Sequence, residues 1–282
     1  MRIKKMLSQF ITAVSVFLIL ASIQVSAADS IIPTKKISLF NGKDLDNFYT
    51  WLVDDHYQDP LRVFTVVDQV DGSPAIRVSG ERWGGFATRE SYRDYRLIVE
   101  FRWGPVTWGN RKNSTRDSGI LLHCQGPDGN TGADFNGPWM HSIETQIIEG
   151  GVGDFILVAG HDSEGNQLNA SVAAKVRNDR DGETVFDPLG ELRKFNRGRI
   201  NWLYRDPDWK DTLGFRGEKD VESSYPEWTK IEVICKGDSI TNLVNGKLVN
   251  QISDPSLQSG KIMFQSEGAE VYFRRIELLP LE

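Results

Sequence analysis

The sequence predicts an all-β protein, a jelly-roll sandwich of two antiparallel sheets that carries one long irregular insertion. Three observations predict it. From residue 37 onward, short runs rich in β-branched and aromatic residues alternate apolar and polar side chains with period two. Tight-turn dipeptides such as Asn41-Gly42, Asp71-Gly72 and Asn245-Gly246 separate them, and no stretch spaces its apolar residues as a helix would. The ~255 residues after the amino-terminal leader suit one such unit with an ample core.

Residues 1–27 read as a secretory signal peptide and residues 28–282 as a single domain. Arg2, Lys4 and Lys5 make a basic start, residues 10–23 are apolar, and Val25-Ser26-Ala27 is a small-residue cleavage site before Ala28. An uncleaved anchor is the alternative, but the apolar run is short for a span and ends in a cleavage pattern. No cysteine lies near the cleavage point, so no lipid anchor is expected. Cleavage removes three basic groups and no acid, taking the formal charge from −6 to −9. So acidic a chain, without a basic cluster, is not expected to bind nucleic acid. The mature protein is expected in the periplasm or outside the cell, free of the membrane.

The early strands are read at residues 37–40, 63–67 and 75–79, each closed by a glycine turn. A longer one follows at 95–103, with Leu97, Val99 and Phe101 facing inward and Glu100 and Arg102 on the other face. Runs at 119–124 and 141–148 flank a loop rich in Gly, Asn, Asp and Pro that contains Trp139. In the second run, Ile143, Thr145 and Ile147 share one face while Ser142, Glu144, Gln146 and Ile148 share the other. In the first, Ile120, Leu122 and Cys124 share a face, leaving Leu121 and His123 opposite. His123, Glu144 and Gln146 are thereby directed into one cleft, and Glu149 joins them only if a bulge resets the alternation. Each feature also has a plainer reading, as a solvated strand face or a hydrogen-bonded structural histidine.

Strands at 155–159 and 170–176 precede an irregular insertion at 177–227, a candidate cleft wall. Its Trp202 and Trp209 either stack on sugar rings or fasten the insertion to the sheet. Strands at 228–236, 239–244, 247–252, 261–266 and 271–279 complete the chain. The two cysteines, Cys124 and Cys235, both fall on apolar strand parity, so buried unpaired thiols are expected rather than a disulfide.

Several stretches, in this order, resemble the 3-keto-disaccharide hydrolase domain family: Ser38-Leu39-Phe40-Asn41-Gly42-Lys43-Asp44-Leu45, residues 94–102, Asp117-Ser118-Gly119-Ile120 with Glu144-Thr145-Gln146-Ile147, residues 228–233, Phe264-Gln265-Ser266-Glu267-Gly268 and Tyr272-Phe273-Arg274-Arg275-Ile276. The resemblance covers nearly the whole mature chain. It implies a secreted concanavalin-like jelly roll that cleaves glycosides already oxidised at C3, downstream of a sugar 3-dehydrogenase. Where members often carry a His after a Gln-Asp pair in the late strand, this chain has Gln265-Ser266-Glu267-Gly268.

A ketone at C3 acidifies the C2 hydrogen, so a base can remove it and the C1 substituent can leave by elimination, after which water adds. Glu144 is assigned as base or metal ligand, His123 as acid/base or metal ligand, Gln146 as orienting amide and Arg102 as enolate stabiliser. Glu149, Gln265, Trp139, Trp202 and Trp209 are assigned to substrate binding. A divalent cation could hold the enolate instead, although no metal motif of fixed spacing occurs. Two other readings stay open. Glu144-x-Gln146-x-x-Glu149 is similar to the strand motif of retaining laminarinase-type enzymes, which need carboxyls about 5–5.5 Å apart. Alternatively, the cleft binds glycan through its tryptophans and nothing reacts.

Overall fold

A computed structural model describes residues 30–281; the leader read over residues 1–27 lies outside them. Two large antiparallel sheets face each other. The smaller has seven strands, ordered Gly198–Ile200, Phe155–Val158, His141–Ile148, Asp117–Gln125, Lys261–Ser266, Gly84–Thr88 and Phe48–Leu52. The path through the larger runs Thr184–Phe186, Val172–Asn178, Lys247–Ser253, Ser239–Val244, Thr229–Lys236, Tyr95–Thr107, Ala269–Leu279, Ser73–Val78 and Phe64–Val70. Ile37–Ser38 and Glu191–Phe195 pair alongside it. Neighbours in each sheet are often distant in sequence, because the chain repeatedly crosses from one sheet to the other as in a jelly roll.

The inward faces follow the predicted alternation. Leu97, Val99 and Phe101 of one sheet meet Ile120, Leu122, Ile143 and Ile147 of the other in one continuous buried cluster. Within it, Phe86 stacks on Phe264 with ring centroids 4.8 Å apart, and Phe273 meets Phe264 edge to face at 5.3 Å. Cys124 and Cys235 are buried and unbonded.

The alternation breaks once where it matters. The pairing of Asp117–Gln125 with His141–Ile148 shifts register between Leu122 and Gln125. His123 there adopts φ 55°, in the left-handed region. One extra residue on a strand exchanges the faces of everything beyond it. Cys124 therefore lies not with Ile120 and Leu122 but on the outer face, with Leu121, Ala87, Met140 and Met263.

The 177–227 segment is not irregular throughout. It supplies Thr184–Phe186 and Glu191–Phe195 to the large sheet and Gly198–Ile200 to the edge of the small one. Only the stretch after residue 201 lacks strands, and it is fastened down by side chains described below.

Candidate active site

The outer face of the seven-stranded sheet carries a compact polar site. Gln146, Gly119, Gln265, Gly85 and Trp51 lie side by side across five strands, with Glu144, Leu121, Met263, Ala87 and Tyr49 in the adjacent row. Asp117, Glu267 and Trp83 continue the first row's parity, each two residues along from Gly119, Gln265 and Gly85. Gly119 is what lets the polar heads meet. A Cβ at this position would run into Oε1 of Glu144 and Oε1 of Gln265, so both side chains lie flat over the bare backbone.

These two oxygens are buried and, among the described residues, neither has a hydrogen-bond partner. Two acceptors in one place call for a proton between them, and Glu144 can supply it. Burial first, and the neighbouring Asp117 charge second, push the Glu144 carboxyl up to about 8, against the pull of Arg199 and Gln265. At neutral pH the group is mostly protonated and able to donate.

Asp117 and Glu267 complete a trio of carboxyls. Burial raises Asp117 above the ordinary aspartate range, although Arg111 opposes this through an ion pair of 3.0 Å. The Gln146 amide donates to Asp117 at 2.5 Å, which directs that amide to the carboxylate. Burial, then the charges of Asp117 and Glu144, drive Glu267 well above its usual value. Arg199 stands at the far end of the Glu144 row, beyond Ile156. Its guanidinium and that of Arg205 approach the wholly buried Asp154 at 3.7 and 3.8 Å. On the opposite side, Trp139 packs against the patch of Leu121 and Met263 and stacks on Trp83 with centroids 5.6 Å apart. Its indole N–H donates to the Gly84 carbonyl at 3.1 Å. Among the described residues, no group of three or more His, Cys, Asp or Glu side chains is arranged to hold a metal ion.

Of the residues singled out from the sequence, Glu144, Gln146, Gln265 and Trp139 gather here, and the others do not. His123, expected in the cleft, is turned into the core by the bulge. Its Nδ1 is 2.9 Å from the Leu257 carbonyl, its ring packs edge-on to Tyr95, and burial lowers it to about 4, so it stays neutral. Arg102 lies on the other sheet, paired to Asp71 and flanked by the rings of Trp228 and Tyr272. Glu149 follows the end of its strand and is fully engaged by the Arg116 guanidinium at 2.6 Å and by the backbone N–H groups of Arg116 and Gly214. The two-carboxylate pair of Glu144 and Glu149 is thus not assembled.

Trp202 and Trp209 prove to be fasteners. Trp202 is 1 % exposed and donates to the Gly150 carbonyl, while Trp209 donates to the Glu149 carbonyl and stacks under Arg205. The reading of the sequence passed over Asp117, Glu267, Arg111, Arg199 and Trp83. Asp117 was within reach of it, since it stands two residues from Gly119 on the same strand, whereas Glu267 follows the end of its strand at Ser266.

A search of curated protein sequences finds no match. Among solved structures, the chain resembles one from Parabacteroides distasonis described as a candidate glycosyl hydrolase, at 16% identity over 88% of this chain and 94% of that one, with TM-score 0.48. It also resembles a carbohydrate-binding module of Bacillus subtilis, at 12% identity over 82% and 94% of the two chains, TM-score 0.40. A third is a Bacillus licheniformis β-glucanase, at 10% identity over 88% and 99%, TM-score 0.41. At such distances these likenesses say nothing about chemistry. The family model is another matter: it matches residues 35–279, and the chain belongs to the 3-keto-alpha-glucoside-1,2-lyase-like domain family.

Proposed function

We propose that the domain cleaves 3-keto glycosides by removing the C2 proton and expelling the C1 substituent. The observation that carries this reading is the Glu144 carboxyl, buried over the bare backbone of Gly119 on the face that also holds Asp117 and Glu267, where burial pushes it up to about 8. A carboxylate that binds its proton this tightly is a stronger base than an ordinary one, and roughly a tenth of it is ionised at pH 7.

Ionised Glu144 takes the proton from C2, and the electron pair left behind forms the enolate with its charge on O3. Arg199 stabilises that charge. The pair then returns to form the C1–C2 double bond as the C1–O1 bond breaks. Glu267, which is held protonated, gives O1 its proton, so an alcohol departs and an unsaturated 3-keto sugar remains. Addition of water across the new double bond yields the free 3-keto sugar. Gln146 holds Asp117, and Asp117 keeps Glu144 and Glu267 basic. The substrate requires an upstream oxidation at C3, the work of a sugar 3-dehydrogenase, and we assign residues 1–27 to export.

Incubation in heavy water tests the mechanism. A 3-keto glycoside should be cleaved and its unoxidised parent spared, and the released sugar should carry deuterium at C2 beyond that acquired without enzyme. Cleavage of the parent with no deuterium at C2 would overturn the proposal.

A further inference from the structure

We propose that the stacked pair Trp83 and Trp139 is the leaving-group subsite and selects glycosides whose C1 substituent presents a flat ring face, such as a second pyranose. This rests on the proton-abstraction reading above and adds to it the side from which the aglycone departs.

Position in the row decides the side. Glu144 works at C2, which lies between C3 and C1 in the sugar ring. Along the Glu144 row, Arg199 is two strands away in one direction, beyond Ile156. In the other direction come Leu121 and Met263, on which Trp139 packs. A sugar that turns its C3 oxygen toward the guanidinium must turn C1, and the group attached to it, toward the tryptophans. Trp83 and the Gly84 carbonyl that holds Trp139 stand at the start of the strand three spacings from that of Glu144, roughly 14 Å at the backbone, a span that a two-ring glycoside laid along the row can bridge with the indole side chains reaching back toward it.

The pair is built to receive a face. Trp83 and Trp139 are half-buried, and their rings stack with an interplanar angle of 29°. The hydrogen bond from Trp139 to the Gly84 carbonyl fixes one indole edge, so its orientation costs little further entropy on binding. Trp51, by contrast, is only 6 % exposed and stacks on His56, and Trp202 is 1 % exposed. Trp83 and Trp139 keep open surface on the Leu121 side of the carboxyls, whereas the exposed Trp108 lies on the Arg111 side and donates its indole N–H to the Ser79 carbonyl.

The test compares cyclohexylmethyl and methyl 3-keto-glucosides, whose leaving alcohols are primary and similarly acidic but differ in having a ring. We expect the ring-bearing substrate to have about tenfold higher kcat/KM, the scale of one good aromatic contact. Trp83→Ala and Trp139→Ala should bring that ratio close to one, and Trp139→Phe, which keeps a ring, should retain most of it. A wild-type ratio near one, or alanine variants that lower both substrates equally, would overturn the inference. Binding of the two unoxidised glucosides by calorimetry separates it from the catalytic reading. If no keto glycoside is cleaved but the ring still strengthens binding and Trp139→Ala abolishes the difference, the subsite stands without the mechanism; if the ring adds nothing, the subsite falls.

Discussion

The two outer faces of the sandwich use the same residue types to opposite ends. On the large sheet, Glu100 is gripped by Arg274 at 2.7 Å and Arg275 at 3.2 Å; burial alone would raise it, but these partners hold it below the usual glutamate range. Glu232 is held down in the same way by Arg96 and Lys230. On the small sheet's side, Glu144 and Glu267 have no arginine paired with them among the described residues, and burial prevails. A glutamate matched by an arginine is chemically quiet; one that faces other carboxyls in a dry place keeps its proton near neutrality and can exchange it.

The largest expected effect is on the small sheet. Glu144→Gln should lower turnover by about a hundredfold or more, since an amide cannot accept the C2 proton. Its stability should move the other way. The folded-state pKa is raised, so the native protein binds more protons than the unfolded chain between the ordinary glutamate value and about 8, and stability falls as pH rises through that window. The variant removes this loss, so its Tm at pH 8 should exceed that of the wild type. For the wild type, kcat/KM should climb with pH toward about 8. A variant that melts earlier at pH 8, or a wild-type rate that falls from pH 6 to 8, would erase the contrast between the faces.

Next comes Gly119→Ala. Its methyl group would lift the Glu144 and Gln265 heads apart, and we expect at least about a tenfold loss in kcat/KM with about 1–3 kcal/mol of destabilisation. Chemical denaturation alongside kinetics separates the two. His123→Ala should do the reverse: about 2–3 kcal/mol of stability lost with the core contact and the bond to Leu257, and turnover per folded molecule unchanged. A large rate loss at full folding would return His123 to the mechanism. The smallest effect belongs to Arg102→Leu on the large sheet, about 1 kcal/mol or less in denaturant melts and nothing in rate.

Period two made Glu144, Gln146 and the inward Ile143 and Ile147 legible, together with most strands and the sandwich itself. It failed at His123, because a bulge is one residue with no composition of its own. Arg102 was misassigned because alternation tells which face of a strand a side chain takes but not which sheet the strand joins. Glu149 sat one step past the strand end, where a turn sets direction. Trp202 and Trp209 had the appearance of a sugar platform because an indole that fastens a loop and one that stacks on a ligand are the same residue until its N–H finds a carbonyl. Asp117 and Glu267 went unassigned for a related reason: their importance lies in neighbours on other strands, and the meeting point is a glycine.

The short strands of the 177–227 segment have a consequence for how copies of this protein meet one another. An open sheet ends in unpaired N–H and C=O groups that a second chain can extend. Here Gly198–Ile200 closes one side of the small sheet with only 3 residues, and Thr184–Phe186, also 3 residues, ends the path through the large one. At the other end of the large sheet, Phe64–Val70 carries a register shift between Val67 and Val70 and leaves Asp68 and Gln69 exposed. At these three margins a neighbouring chain would find brief, charged or kinked backbone, a poor template for strand-to-strand growth. The segment that brings Arg199 to the carboxyls therefore also keeps the strands at two sheet margins short.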